Sequence, residues 1–374
     1  MKINIDKTKI KYSEEQIEAL RTKGEDALDS LWDTPWVKAS LAKPDSEETE
    51  TIKKLAEAIQ NQCGLLIVVA TGDIASVIKS AIRALPIEGD FPEVVVFGDT
   101  LSSLEYSNLI LKIRNTETNL IGISTGEESL QLKTAFACIK KMMVSKYGVE
   151  KVSEKILLVA GEKSLSLKTM AAEEKLSCLT CQSDIEEIHG ITTIGALLPI
   201  AIAGIDIDEV LRGCYDSISS PIWDKDGKDY ALIKYLLIKD GATSEAISVG
   251  QEELQGVATY AEKLFTNETV LATKATLPRD QQRIVRPNTF ETVINIEKEE
   301  TDIMLPIFDG VGEDGSLAIM LKENLQSIIE EHFAKDISVV TISVETLNSY
   351  TFGQLITFLS VSDGITKYLM QNLK

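Results

Sequence analysis

Two short stretches of the 374-residue chain have the residue types and spacing of an anion cradle. Ala70-Thr71-Gly72-Asp73 and Ser124-Thr125-Gly126-Glu127-Glu128-Ser129 each set hydroxyls and a glycine directly after an apolar run. At a helix start, such residues leave backbone N–H groups and the positive end of the helix dipole open to a phosphate. The same residues also make an ordinary helix cap, so pattern alone leaves both readings open. Arg279, Arg283 and Arg286 bring together three of the chain's seven arginines. They are an alternative anion clamp, because guanidinium groups match phosphate oxygens in pairs, or else a solvated salt-bridge patch.

Other chemistries find little material. Cys178 and Cys181 have C-x-x-C spacing, but a zinc site needs a second ligand pair, and His189 and His332 are the only histidines. The two cysteines read as small apolar residues. Two histidines also leave little for a nucleophilic triad. Neither a metal nor a cofactor is expected.

With 58 acidic and 38 basic side chains the net charge is −20, which disfavours nucleic acid and anionic membrane as partners. A hydrophobic content of 44% separates the chain from the disordered class. The segment Met1 to Lys7 lacks the apolar core of a signal peptide. The longest nearly uncharged run, His189 to Ile205, is interrupted by Gly190, Gly195, Pro199 and Gly204 and falls short of the roughly 20 residues that span a bilayer. It is expected to be a buried helix. Five cysteines, an odd number, do not make a disulfide framework, and a cytoplasmic location is expected.

The elements that would position these residues follow from periodicity. Ser13 with Gln16 is a capping box, and Asp45 with Glu48 opens a helix carrying Ile52, Leu55, Ala56 and Ile59 on one face. From residue 65 short apolar runs alternate with helical patterns: Leu65–Ala70, Val94–Phe97, Leu120–Ile123, Ile156–Ala160 and Leu176–Thr180. Runs of this kind are strands covered on both faces, so the fold class is α/β, a three-layer α-β-α arrangement on a parallel five-stranded sheet. Further on, Ala246–Val249, Thr292–Ile296 and Ile337–Ser343 read as strands, and Thr351–Leu373 as a closing helix. The division expected is an N-terminal helical segment over 1–50 and two subdomains over 51–220 and 221–374.

Several blocks resemble the phosphoglucose isomerase family. Ser124-Thr-Gly-Glu-Glu-Ser-Leu-Gln131 lies where that family has its S-K-S-G-T-T-T-E phosphate loop. His189-Gly-Ile-Thr-Thr-Ile-Gly-Ala-Leu-Leu-Pro-Ile-Ala-Ile-Ala-Gly-Ile-Asp206 is similar to all but the first four positions of G-G-R-[YF]-S-V-x-[ST]-x-[VI]-G-L-L-P-I-A-x-A-G-I-[DN]. Phe290–Val293 and Tyr350–Gly353 resemble further stretches of the short bacterial form, and the blocks keep the family's order. The resemblance implies a divergent glucose-6-phosphate isomerase homologue of glycolysis and gluconeogenesis. It would be built from two sugar-isomerase (SIS) subdomains, the second truncated at its C-terminus, and assembled as a homodimer. It would take a sugar phosphate or other small anion through Gly72, Ser124, Thr125 and Ser129.

The departures from the family pattern bear on activity. Its first loop, G-I-G-G-S, becomes Ala70-Thr-Gly-Asp-Ile74; Thr125 replaces a lysine; and Glu127 and Glu128 replace neutral positions. Two carboxylates facing a phosphate would each cost about 1 kcal/mol at an effective dielectric near 20. The arginine of G-G-R aligns with Glu187, a reversed charge. The family's glutamate base falls on Asn267, with Glu268 one residue away, and a secondary histidine falls on His332. Glu268 and His332 are therefore the candidate base and ring opener, in a chain whose other catalytic positions are replaced. Very low or absent isomerase activity is expected, with a catalytically silent sugar-phosphate-binding protein or a dimeric interaction protein on the same fold as alternatives.

Overall fold

The computed structural model of the chain describes residues 3–42, 46–299, 301–304 and 315–373. It divides into two compact units: one from residues 42–82 and 86–211, the other from 1–41, 83–85 and 212–374.

The first unit is built on strands β2 (Leu65–Val69), β3 (Glu93–Phe97), β4 (Thr118–Ser124), β5 (Ile156–Ala160) and β6 (Ser177–Thr180), counting β1 as the N-terminal strand of the other unit. All five are parallel, in the order β3-β2-β4-β5-β6. The runs LLIVV, TNLIGIS and ILLVA are buried along their whole length, as strands covered on both faces must be. On one face Leu65, Ile67, Leu120 and Leu158 pack with Phe136, Ile139 and Met143 of the helix Leu130–Tyr147. Gly122 is required there, because a β-carbon at that position would lie 2.6 Å from the Phe136 ring.

The second unit holds β1 (Ile3–Lys9), β7 (Ser244–Val249), β8 (Leu271–Thr276), β9 (Thr289–Ile296) and β10 (Val339–Val344), in the order β1-β10-β9-β7-β8. Only β1 runs antiparallel, Ile3 lying opposite Val344. The helix Ser349–Asn372 is buried on nearly every side, its Ser360 and Ser362 hydroxyls donating to the Ile356 and Phe358 carbonyls, and Asn348 caps its start by accepting from the Thr351 amide at 3.0 Å. Gly213 lets the helix Ile207–Ile218 approach it, since a β-carbon there would sit 2.0 Å from the Tyr350 carbonyl oxygen.

Several expectations need correction. The N-terminal segment, read as helical, opens on β1, whose sequence Ile-Asn-Ile-Asp-Lys-Thr-Lys presents only two apolar side chains. β8 (Leu-Ala-Thr-Lys-Ala-Thr) is an edge strand with three polar positions and carried no strand signal. Asp45 lies outside the described residues, and Ser46 caps the helix Glu47–Gln60 by accepting from the Thr49 amide at 3.1 Å. The run His189–Ile205, expected as one helix, begins inside a 3-10 turn, Glu187–Thr192. Thr193 is extended there and donates its hydroxyl to the Gly190 carbonyl, and the helix Ile194–Ile202 follows. Among the described residues no helix is long and apolar enough to cross a membrane.

The second unit also buries charge. Lys234 on the helix Asp226–Lys239 meets Glu245 of β7 at 3.0 Å, and Glu245 also accepts from Thr292 of β9 at 2.8 Å. Asp363 of the last helix, 2.7 Å from Lys367, is almost fully buried, and burial pushes its carboxyl up from 3.8 to about 6. The folded carboxyl thus keeps its proton to higher pH than the unfolded one. Its contribution to stability is fullest below about pH 4 and is lost as pH rises through about 6. At 1.36 kcal/mol per unit, Asp363→Asn should remove a pH-dependent component of about 3 kcal/mol. Urea melts of both proteins between pH 4 and 7 check this; parallel pH profiles would count against it.

Candidate functional site

In the first sheet, the chain leaves β2 toward β3 on one side and β4 toward β5 on the other, so the strand order reverses between β2 and β4. Open α/β sheets place their ligands in the crevice beyond the carboxyl ends of two such strands. The two cradle stretches meet at this point. The Thr71 and Ser129 hydroxyls are 3.3 Å apart. Gly72 has φ +68°, a left-handed conformation that favours glycine, and starts the helix Gly72–Ala84. Ser129 caps the helix Leu130–Tyr147 by accepting from the Leu132 amide at 3.1 Å.

The loop after β4 is held by backbone contacts. The Gly161 amide and the Ser164 hydroxyl both donate to the Ser124 carbonyl at 2.7 Å, and Ser164 also reaches the Gly126 carbonyl at 2.9 Å. Ser124 turns its own hydroxyl to the Gly126 carbonyl at 3.0 Å. Among the described residues the amides of Gly126, Glu127 and Glu128 donate to no protein group.

Carboxylates hold several other positions. Asp99 accepts from the Gly72 amide at 3.0 Å and pairs with Lys79 at 3.1 Å, so it caps the helix Gly72–Ala84. Glu187 accepts from the Thr125 hydroxyl, and a β-carbon on residue 72 would lie 3.5 Å from its other oxygen. Glu128 does not face an anion at the loop, as the sequence suggested, but accepts from the Leu167 amide at 2.9 Å and caps the helix Leu165–Glu174. Glu127 is exposed. Asp99, Gly161 and Ser164 carry no local sequence signal, because each acts through a contact with a distant stretch of chain; Glu187 is visible as a reversed charge, but its contact with Thr125 is not.

Gly72, Ser124, Thr125 and Ser129 are therefore brought together in the first unit, whereas the other candidates belong to the second. Glu268 is exposed in the turn before β8, at the amino end of that strand, beside Asn267, whose side chain accepts from the Thr269 and Val270 amides. His332 is fully buried, with Nδ1 2.7 Å from Glu291, and Glu291 in turn accepts from the Ser248 hydroxyl. It ties the helix Leu317–Ala334 to the sheet. Arg279 is exposed and donates to the Thr276 hydroxyl at 2.9 Å; Arg286 is exposed; the Arg283 side chain lies outside the described residues. Cys178 is exposed on β6 and Cys181 buried, burial pushing both thiols up. Among the described residues no cluster of His, Cys, Asp and Glu is placed to hold a metal.

No family model matches the chain. Among curated proteins it is similar to a glucose-6-phosphate isomerase of Latilactobacillus sakei, 26% identical over 87% of this chain and 80% of that one. A glucose-6-phosphate isomerase of Caldanaerobacter subterraneus is 24% identical over 87% and 79%. Among solved structures it matches a hypothetical protein of Thermus thermophilus with TM-score 0.86 at 17% identity, covering 98% of this chain and 94% of that one. A glucose-6-phosphate isomerase of Chlamydia trachomatis matches with TM-score 0.80 at 11% identity, covering 98% and 84%. At such identities the structural matches speak to the fold.

Proposed function

We propose that this divergent relative of the glucose-6-phosphate isomerases binds a phosphorylated sugar at the carboxyl edge of its first sheet while most of the isomerase chemistry is lost. The observation that carries the reading is the pairing of unused loop amides at Gly126–Glu128 with a carboxylate, Glu187, on the Thr125 hydroxyl. Amides and a helix start suffice to hold a phosphate. Moving a proton between adjacent sugar carbons asks for more: a positioned base, a ring-opening group and a cation against the developing oxyanion. Glu187 stands at the position where the resemblance sets the cation, with the opposite charge.

Glu268 as base and His332 as ring opener are the alternative assignment. The exposure of Glu268 and the complete burial of His332 weigh against it. Losing a positioned base costs about 10²–10⁴-fold and losing an oxyanion-stabilising donor a further 10²–10³-fold. Purified protein should therefore convert fructose 6-phosphate to glucose 6-phosphate at less than about a thousandth of a typical enzyme rate, yet show a thermal shift with sugar phosphates. A coupled dehydrogenase assay giving tens of turnovers per second, lost on Glu268→Gln, would establish an active isomerase instead. The resemblance also supports a cytoplasmic homodimer, which sedimentation at micromolar concentration tests.

A further inference from the structure

We propose that Glu187 makes the crevice selective for a phosphorylated sugar that carries a free amine. The inference rests on the sugar-phosphate reading above and adds the substrate class to it. Of the carboxylates at the crevice and its loops, Asp99 is engaged with the Gly72 amide and Lys79, Glu128 with the Leu167 amide, and Asp73, in the first turn of its helix, is not without a partner. Glu187 differs. Among the described residues its hydrogen bond goes to the neutral Thr125 hydroxyl, and no lysine or arginine pairs with it. Its second oxygen faces the bare α-carbon of Gly72, where residue 72 has no side chain to cover it.

A half-buried carboxylate beside the loop amides repels a phosphate seated on them, and a ligand hydroxyl can bond to Glu187 without offsetting that repulsion. An ammonium group between the two anions satisfies both. It forms a charge-assisted hydrogen bond to Glu187 and neutralises part of the field felt by the phosphate. The arrangement of carboxylate, open glycine face and amide-rich loop is therefore complementary to a ligand with a dianion at one end and a cation along its length. Glu127 adds nothing comparable, since it is exposed and screened by solvent.

Calorimetric titration of the full chain at pH 7 with glucosamine 6-phosphate, glucose 6-phosphate and N-acetylglucosamine 6-phosphate decides the matter. The acetylated ligand keeps the ring and the phosphate but lacks the charge. Glucosamine 6-phosphate should bind about tenfold tighter than either of the others, and Glu187→Gln should bring the ratio to about one. Equal binding of the three ligands by the unaltered protein, or a preference that survives Glu187→Gln, overturns the proposal and leaves the sugar-phosphate reading standing. Failure of all three to bind removes both. Because the comparison of ligands needs no variant, it holds even where Glu187→Gln folds poorly.

Discussion

Gly161→Ala is expected to abolish the thermal shift with sugar phosphates and to destabilise the protein by about 2–4 kcal/mol, the range of severe overpacking. A β-carbon at residue 161 would lie 2.1 Å from the Thr125 carbonyl oxygen and 2.7 Å from its carbon, and both are backbone atoms that no rotamer change can move. The loop after β4 must shift bodily. In doing so it loses the Gly161 amide and Ser164 hydroxyl from the Ser124 carbonyl, and it carries Thr125 away from Glu187. Ser164→Ala removes one donor without a clash and should cost only about 1–3 kcal/mol, with weakened but measurable binding. Melts and titrations of both variants separate the two effects. Wild-type binding by Gly161→Ala would mean that the loop is not held as tightly as these contacts imply.

The second large effect concerns the ion pair in the other unit. Lys234→Met leaves Glu245 buried with, among the described residues, the Thr292 hydroxyl alone and should cost about 3–5 kcal/mol, the usual penalty for orphaning one partner of a buried pair. Lys234 also seats its ammonium over the Phe265 ring, 3.0 Å from the centroid, which compensates part of its desolvation. The double variant Lys234→Met, Glu245→Leu takes out both charges at once and should recover most of the loss. Urea denaturation of the two single variants and the double one gives the coupling energy directly. Losses that simply add would show that the charges are held by separate surroundings.

The first sheet was readable in the sequence because β2, β4 and β5 are continuous aliphatic runs, and a strand covered on both faces leaves no other pattern. β1 and β8 were not readable, since each is an edge strand whose polar residues obscure any period and whose strand state depends on the neighbour it pairs with. At the crevice, the hydroxyls and glycines of both loops stood out by position. The reversed charge at residue 187 stood out too, yet its contact with Thr125 joins segments 62 residues apart in sequence and depends on folding. Glu128 makes the same point in reverse: next to an anion loop it looked obstructive, and only the approach of Leu167 shows it to be a cap.

Strand β1 has a consequence for the order in which the protein can assemble during synthesis. Its partner, β10, lies about 340 residues further along, so closing that edge of the sheet carries a large loop-closure cost. The sheet made from residues 65–180 is complete while much of the chain is still to be translated, and its parallel strands are joined by local crossovers. A nascent chain halted before residue 339 therefore has one finished sheet and an N-terminal strand with nothing to pair against. Such an unpaired edge can recruit a stray strand from another chain. The alternating lysines and Asp6 in Ile3–Lys9 are the kind of charge that discourages this, so the polar residues that hid β1 as a strand also guard it until β10 emerges.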